Sequence, residues 1–243
     1  MTALLEVDRI SKSFSGLKAM QDVSFTVPEG QIVGLIGPNG AGKTTCFNVI
    51  AGVYRADAGE VQFAGRRIDG WRSDQVCRAG IGRTFQLVKP FAGLTVMENV
   101  IVGALNASAS VREAKERAAA VIEQLGLASK REQMASSLTL PERKLLEVAR
   151  ALATGPRLLL LDEPAAGLNA EETKLLSATI RRIVADGTTV LLIEHDMTLV
   201  MGTADKVAVL DFGRKIAEGP PANVRENPAV IAAYLGTAEA AHA

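Results

Sequence analysis

The chain has 243 residues, 48% of them apolar, 22% charged and only 4% aromatic. Lysine plus arginine equals aspartate plus glutamate at 27 each, so the formal net charge is zero and no basic field points to a nucleic-acid partner. Two cysteines without metal-ligand spacing, an N-terminus (MTALLEVDRI) without signal-peptide character and no apolar run of about 18 residues suit a reduced cytosolic interior, with any membrane span left to another chain.

Residues 4–27 read as strand-like runs, LLEVDRI, SFSGLKAM and QDVSFTV, punctuated by Pro28-Glu29-Gly30. QIVGLIG (31–37) is a short apolar strand, KTTCFNVIAG (43–52) a helix ending at Gly52, and EVQFAGRRI (60–68) a hairpin. From about 72 to 156 the pattern is mostly helical, and VREAKERAAAVIEQLGL is amphipathic with its charges on a solvated face. RLLLLDEP (157–164) and TTVLLIEHD (188–196) are continuous apolar strands, as in a parallel sheet covered on both faces, and EETKLLSATIRRIVADG is the crossover helix between them. KVAVLDFGRKIAEG (206–219) reads as a hairpin turning near Phe212-Gly213; its Asp-Phe-Gly has no kinase context. PPANVRENPAVIAAYLG ends in a short helix, and TAEAAHA is a frayed tail.

The run from Gly37 to Thr45, GPNGAGKTT, fits G-x-x-x-x-G-K-[ST] and lies between a predicted strand and a predicted helix, the context a phosphate loop requires. Its glycines let backbone N–H groups curl around an anion, and the helix N-terminus adds orphan donors and partial positive charge. Lys43 can reach the β- and γ-phosphates and Thr44 can hold Mg²⁺. Asp162 and Glu163 end an apolar strand, where ligands of open α/β sheets bind. There Asp162 can orient Mg²⁺ through water and Glu163 can act as general base. His195 follows another core strand, beside the phosphate site. Gln86 sits at the junction into the helical region. Cys46, one residue past the loop, reads as a small buried residue. In LTLPERK (138–144), Thr139 followed three residues later by Glu142 is a capping-box helix start.

These motifs occur in the order of an ABC-type ATPase, and the resemblance covers about residues 4–236. GIGRTFQLVKPFAGLTVMENVIVG (80–103) and NPAVIAAYLG (227–236) resemble the ATP-binding subunits of branched-chain amino acid importers in particular. The resemblance implies an α/β fold: a P-loop ATPase with a mixed β-sheet core, an N-terminal antiparallel β portion and an inserted helical subdomain. The core would take residues 1–86 and 157–243, and the subdomain 87–156. It implies ATP and Mg²⁺ as ligands. The partners would be a second ATPase subunit, of the same or a related chain, and transmembrane permease subunits, on the inner face of the cell membrane.

Residue by residue, the resemblance puts Phe14 on adenine and Gly37, Asn39, Gly40, Ala41, Gly42, Lys43, Thr44 and Thr45 around the phosphates. Gln86, with Thr44 and Asp162, would contact Mg²⁺, and Gln86 would also touch the attacking water. Glu163 would be the base and His195 the γ-phosphate switch. Asn169 stands where the family usually has aspartate. The family signature, Leu-Ser-Gly-Gly-Gln, falls on Leu138-Thr139-Leu140-Pro141-Glu142. Capping survives there, with Thr139 left to meet the nucleotide of a head-to-tail partner. Both glycines are gone, Pro141 has no N–H, and Glu142 brings negative charge toward a phosphate. Two alternatives stand beside the importer: a soluble ABC ATPase acting on ribosomes or DNA, and a weakly hydrolysing ATP-binding partner, the latter favoured by the altered signature and opposed by Glu163 and His195.

Overall fold

The computed structural model describes residues 3–84, 90–195 and 197–240. The chain opens with strands β1 (Ala3–Phe14), β2 (Leu17–Pro28) and β3 (Ile32–Ile36), helix α1 (Lys43–Ile50), strands β4 (Ala58–Phe63) and β5 (Arg66–Arg67), helix α2 (Ser73–Arg78) and strand β6 (Ile81–Arg83). Helices α3 (Val96–Ala104), α4 (Val111–Gln124) and α5 (Leu140–Ala153) follow. The remainder is β7 (Leu158–Asp162), α6 (Ala170–Ala185), β8 (Thr189–Ile193), α7 (Met197–Thr203), β9 (Lys206–Asp211), β10 (Arg214–Gly219), α8 (Pro221–Arg225) and α9 (Pro228–Ala240).

The three N-terminal runs are two long strands. Ser15 and Gly16 both have positive φ and close a tight two-residue hairpin between β1 and β2. The polar Gln21-Asp22, which divides the second and third runs, sits in a register shift of the β1–β2 ladder, with Asp22 at φ 51°. β1 also pairs with β4, giving an antiparallel four-stranded sheet in the order β2-β1-β4-β5.

The second sheet runs β10-β9-β3-β8-β7-β6, parallel except for the terminal β9–β10 hairpin. Its apolar runs feed both faces by alternation. Leu159 and Leu161 of β7 and Val190 and Leu192 of β8 pack into the core beneath the helices. Leu158, Leu160, Leu191 and Ile193 pack toward the first sheet, around Phe47 of α1. This is why those strands read as unbroken hydrophobic stretches rather than as an alternation.

Helices α3, α4 and α5 pack on one another. In α4, Ala114, Ala118, Val121 and Ile122 face the core at helical spacing, and Arg112, Lys115 and Glu116 face solvent, as the pattern predicts. Within the stretch read as mostly helical, Ile81–Arg83 instead forms β6, an edge strand registered against Leu158–Leu160. At the other end, α9 carries helix through Ala240 where a frayed tail was expected from 237; residues 241–243 lie outside the described residues. No helix of the described residues is long and apolar enough to cross a membrane.

Candidate active site

The carboxyl ends of the parallel strands converge. Gly37 follows β3, Thr84 follows β6, Asp162 ends β7 and His195 lies just past β8. The loop from Gly37 to Gly42 is shaped by backbone that a side chain would obstruct. Gly42, the N-cap of α1, has φ 99°, and a Cβ on it would meet the Ala19 carbonyl oxygen at 2.5 Å; one on Gly37 would meet that of Leu210 at 2.0 Å. No acidic residue occupies the first turn of α1, so its positive end is not neutralised locally. Lys43 is buried and its Nζ donates to the carbonyls of Gly37 (2.7 Å) and Pro38 (2.9 Å). Burial pushes its pKa down, against the opposing pull of Glu163 and Asp162.

A cleft of about 540 Å³ is lined by Asn39, Gly40, Ala41, Gly42, Lys43, Thr44 and Thr45 and also by Glu163. Asp162 is only 3% exposed. Its Oδ2 meets the Arg83 guanidinium at 3.3 Å, while Oδ1 is buried with no hydrogen-bond partner among the described residues. Burial raises its pKa, opposed chiefly by Arg83. A desolvated carboxylate oxygen unpaired among the described residues, with the Thr44 hydroxyl on the first turn of α1, is a hard-oxygen donor set that fits Mg²⁺. Among the described residues no group of three or more His, Cys, Asp or Glu could hold a metal, so such an ion would need phosphate oxygens to complete its shell.

Glu163 has φ 47°, a conformation costly for a residue with a side chain. Its N–H donates to the Ile193 carbonyl at 3.0 Å. His195 is 58% exposed at its side chain, with Nδ1 3.9 Å from Glu163 Oε2 and 3.8 Å from Glu194 Oε2. Phe14 does not line the cleft: it is 38% exposed, with its ring edge-on to Tyr54 at 5.2 Å and Lys12 Nζ 5.5 Å from its centroid. Leu17 and Phe212 line the cleft instead. Gln86 lies outside the described residues. Cys46 is fully buried, as read from sequence, and burial pushes its thiol up to about 12.

Thr139 caps α5 away from that cleft, and its N–H donates to Glu142 Oε2 at 2.8 Å. Glu142 also meets Lys130 Nζ at 3.1 Å, so its carboxylate is engaged within the chain rather than free to oppose a phosphate. Asn169 caps α6, accepting from Glu171 and Glu172 N–H at 3.0 Å each, so asparagine keeps the capping role that aspartate would fill.

Among the described residues, three buried charges escaped sequence reading: Lys144, Glu147 and Glu194. Lys144 on α5 donates to the Glu163 carbonyl at 3.1 Å. Glu194, fully buried, accepts the Ala165 N–H at 2.8 Å. The available signal was a charge at an apolar-facing position, Lys144 one turn after Leu140 and Glu194 closing the run VLLI.

A family model described as "ABC transporter" matches residues 20–166, from β2 through the loop after β7. The chain belongs to the ABC transporter family. A second model, described as "Branched-chain amino acid ATP-binding cassette transporter", matches residues 214–240 of this ABC chain. The high-affinity branched-chain amino acid transport ATP-binding protein LivG of Salmonella typhimurium is 43% identical over 251 residues, covering 97% of this chain and 98% of that protein. BraF of Pseudomonas aeruginosa, described in the same words, is 42% identical with the same coverage. Among solved structures, the ADP conformation of MJ1267, an ATP-binding cassette of an ABC transporter, is 32% identical with a TM-score of 0.89 over 97% of this chain and all of that one.

Proposed function

We propose that this chain is the ATP-hydrolysing subunit of a membrane importer for branched-chain amino acids or related small solutes, working on the inner face of the cell membrane. The observation that carries the reading is the single cleft joining the phosphate loop to Glu163. The names of the LivG and BraF relatives support the solute class.

In this reading the loop N–H groups and Lys43 bind the phosphates of ATP, and Phe14 flanks the adenine. Thr44 and Asp162, with Gln86, hold Mg²⁺, which when bound offsets charge on the β- and γ-phosphate oxygens. Glu163 takes the proton of the attacking water, and His195, within 4 Å of it, bonds the γ-phosphate and keeps the two aligned. Thr139 faces the nucleotide of a second ATPase subunit arranged head to tail. Residues 1–86 and 157–243 are the hydrolytic core, and 87–156 the helical subdomain.

A groove of about 290 Å³ between α2, α3 and α5, lined by Val76, Cys77, Val102, Glu147 and Arg150, is the surface we assign to the permease. Phe91 borders it: 44% exposed, with the Arg150 guanidinium 4.6 Å from its ring centroid. Leu87 and Val88, which belong to the same apolar segment, lie outside the described residues. The test is isolation of the native complex from membranes with ATPase assay of Glu163→Gln. Co-purifying transmembrane subunits and a fall in turnover of about 10²–10⁴-fold, with ATP still bound, are expected. Co-purifying ribosomes, or parent turnover in the variant, would overturn the reading.

A further inference from the structure

Lys144 is 6% exposed although it carries an ammonium, on a helix that is buried or half-buried along its whole length. Burial lowers its pKa, and Glu194, then Glu147 and Glu163, oppose that shift, so acids on three elements surround it. Its head reaches the backbone of Glu163 rather than a carboxylate oxygen. Among the described residues, the other non-glycine positions with positive φ lie in hairpin turns or at register shifts of the first sheet; Glu163 alone follows a buried parallel strand.

Both ends of the Glu163 residue are held. The N–H is bonded to β8 through Ile193, and the carbonyl accepts from Lys144 Nζ and, at 3.2 Å, from the Ala166 N–H. The loop beyond is pinned on the same two sides. Glu194 accepts the Ala165 N–H, and Gly167 lies so near α5 that a Cβ on it would meet Leu140 Cδ2 at 3.0 Å. The direction in which the Glu163 side chain leaves the backbone therefore depends on where α5 sits.

We propose that Lys144 is a positioning residue for hydrolysis: by holding the Glu163 carbonyl it lets helix α5 fix the backbone turn that aims the Glu163 carboxylate into the cleft. This rests on Glu163 being the general base. Thr139, the residue assigned to the partner's nucleotide, is the N-cap of helix α5.

The test measures kcat, KM, ATP affinity and Tm for the full chain, in its native complex, as parent, Lys144→Met, Lys144→Arg, Glu163→Gln and the Lys144→Met/Glu163→Gln pair. Lys144→Met keeps the apolar stem and removes the donor. Its kcat is expected to fall about 10–100-fold, the cost of a misaimed catalytic group, with KM, affinity and Tm close to the parent values. Lys144→Arg, which retains a charged donor, restores most of kcat. The double variant falls no further than Glu163→Gln alone, because both changes remove one function. If Lys144→Met does not fold, Lys144→Gln, shorter and uncharged, carries the same expectation for kcat. Parent kcat in Lys144→Met, KM and affinity changing in step with kcat, or additive losses in the double variant would overturn the proposal. Parent turnover in Glu163→Gln would instead remove the base assignment, a result distinguishable from failure of Lys144 alone.

Discussion

Lys130 Nζ lies 3.1 Å from Glu142 Oε1, and the other oxygen of that carboxylate accepts the N–H of Thr139 at 2.8 Å. The Thr139 N–H, and after it Lys130, hold the Glu142 carboxyl below its ordinary range. The charge standing in place of the signature glutamine is thereby turned inward and paired, at the helix end expected to face a partner's nucleotide.

Removing the lysine should uncover that charge. Lys130→Ala is expected to change stability by no more than about 1 kcal/mol, as for a partly exposed pair. It should lower ATPase turnover about five-fold, roughly 1 kcal/mol at the transition state. Adding Glu142→Gln should restore the rate. Replacing Leu140-Pro141-Glu142 by Gly-Gly-Gln should raise turnover above the parent, since it returns N–H donors to the helix start. Steady-state ATPase assays with thermal melts decide all three, and an unchanged rate in the folded triple variant would show that the signature does not limit hydrolysis.

Lys43 holds two loop carbonyls, so Lys43→Ala loosens the loop and, in the proposed function, also removes a phosphate ligand. Nucleotide affinity should fall at least about ten-fold, consistent with the loss of one charge-assisted hydrogen bond. Titration calorimetry with ATP measures it.

Asp162 is more costly ionised in the fold than in the unfolded chain, because burial raises its pKa. A raised folded pKa means that its contribution to stability is best at low pH and declines as pH rises through the unfolded and then the folded value. At neutral pH, Asp162→Asn should therefore give a Tm at or above the parent's without nucleotide. The same variant should raise the Mg²⁺ concentration needed for half-maximal turnover about ten-fold or more. A Tm drop with an unchanged Mg²⁺ requirement would show that Asp162 serves the fold and not the ion.

Cys46 should be inert to alkylation in the native protein at pH 8.5, because its thiol titrates at about 12 and is fully buried. Unfolding returns it to about 8.5, so rising pH favours the unfolded state at this residue. Peptide mapping after iodoacetamide treatment should find Cys46 labelled only when denaturant or heat has opened the core.

The phosphate loop was legible because its residues are contiguous and its chemistry is local: GPNGAGKT needs only a strand before it and a helix after it. Asp162 and Glu163 were legible because a strand buried on both faces leaves an unbroken leucine run with its polar residues at the end. Strand β6 was not. Gly80 and Gly82 interrupt any period, and three residues become a strand only because β7 offers them a partner. Lys144, Lys130 and Glu194 act through neighbours 19, 12 and 29 residues away in the chain, and no local pattern encodes that. The edge-on contact of Phe14 with Tyr54 joins residues 40 positions apart, and it too has no local signal.

The two end strands of the six-stranded sheet, β6 and β10, are unlike each other, and each discourages unwanted growth. One margin is β6, only three residues long, its middle residue Gly82 so close to Pro156 and to the Ala151 carbonyl that a Cβ there would sit 3.0–3.1 Å from both. The other is β10, where Lys215 is ion-paired with Glu218 and Arg214 points its guanidinium at Gln21. A chain of zero net charge has no colloidal repulsion to keep copies apart at neutral pH. Resistance to strand-by-strand aggregation falls instead to a margin too short to template another strand and a margin studded with charge.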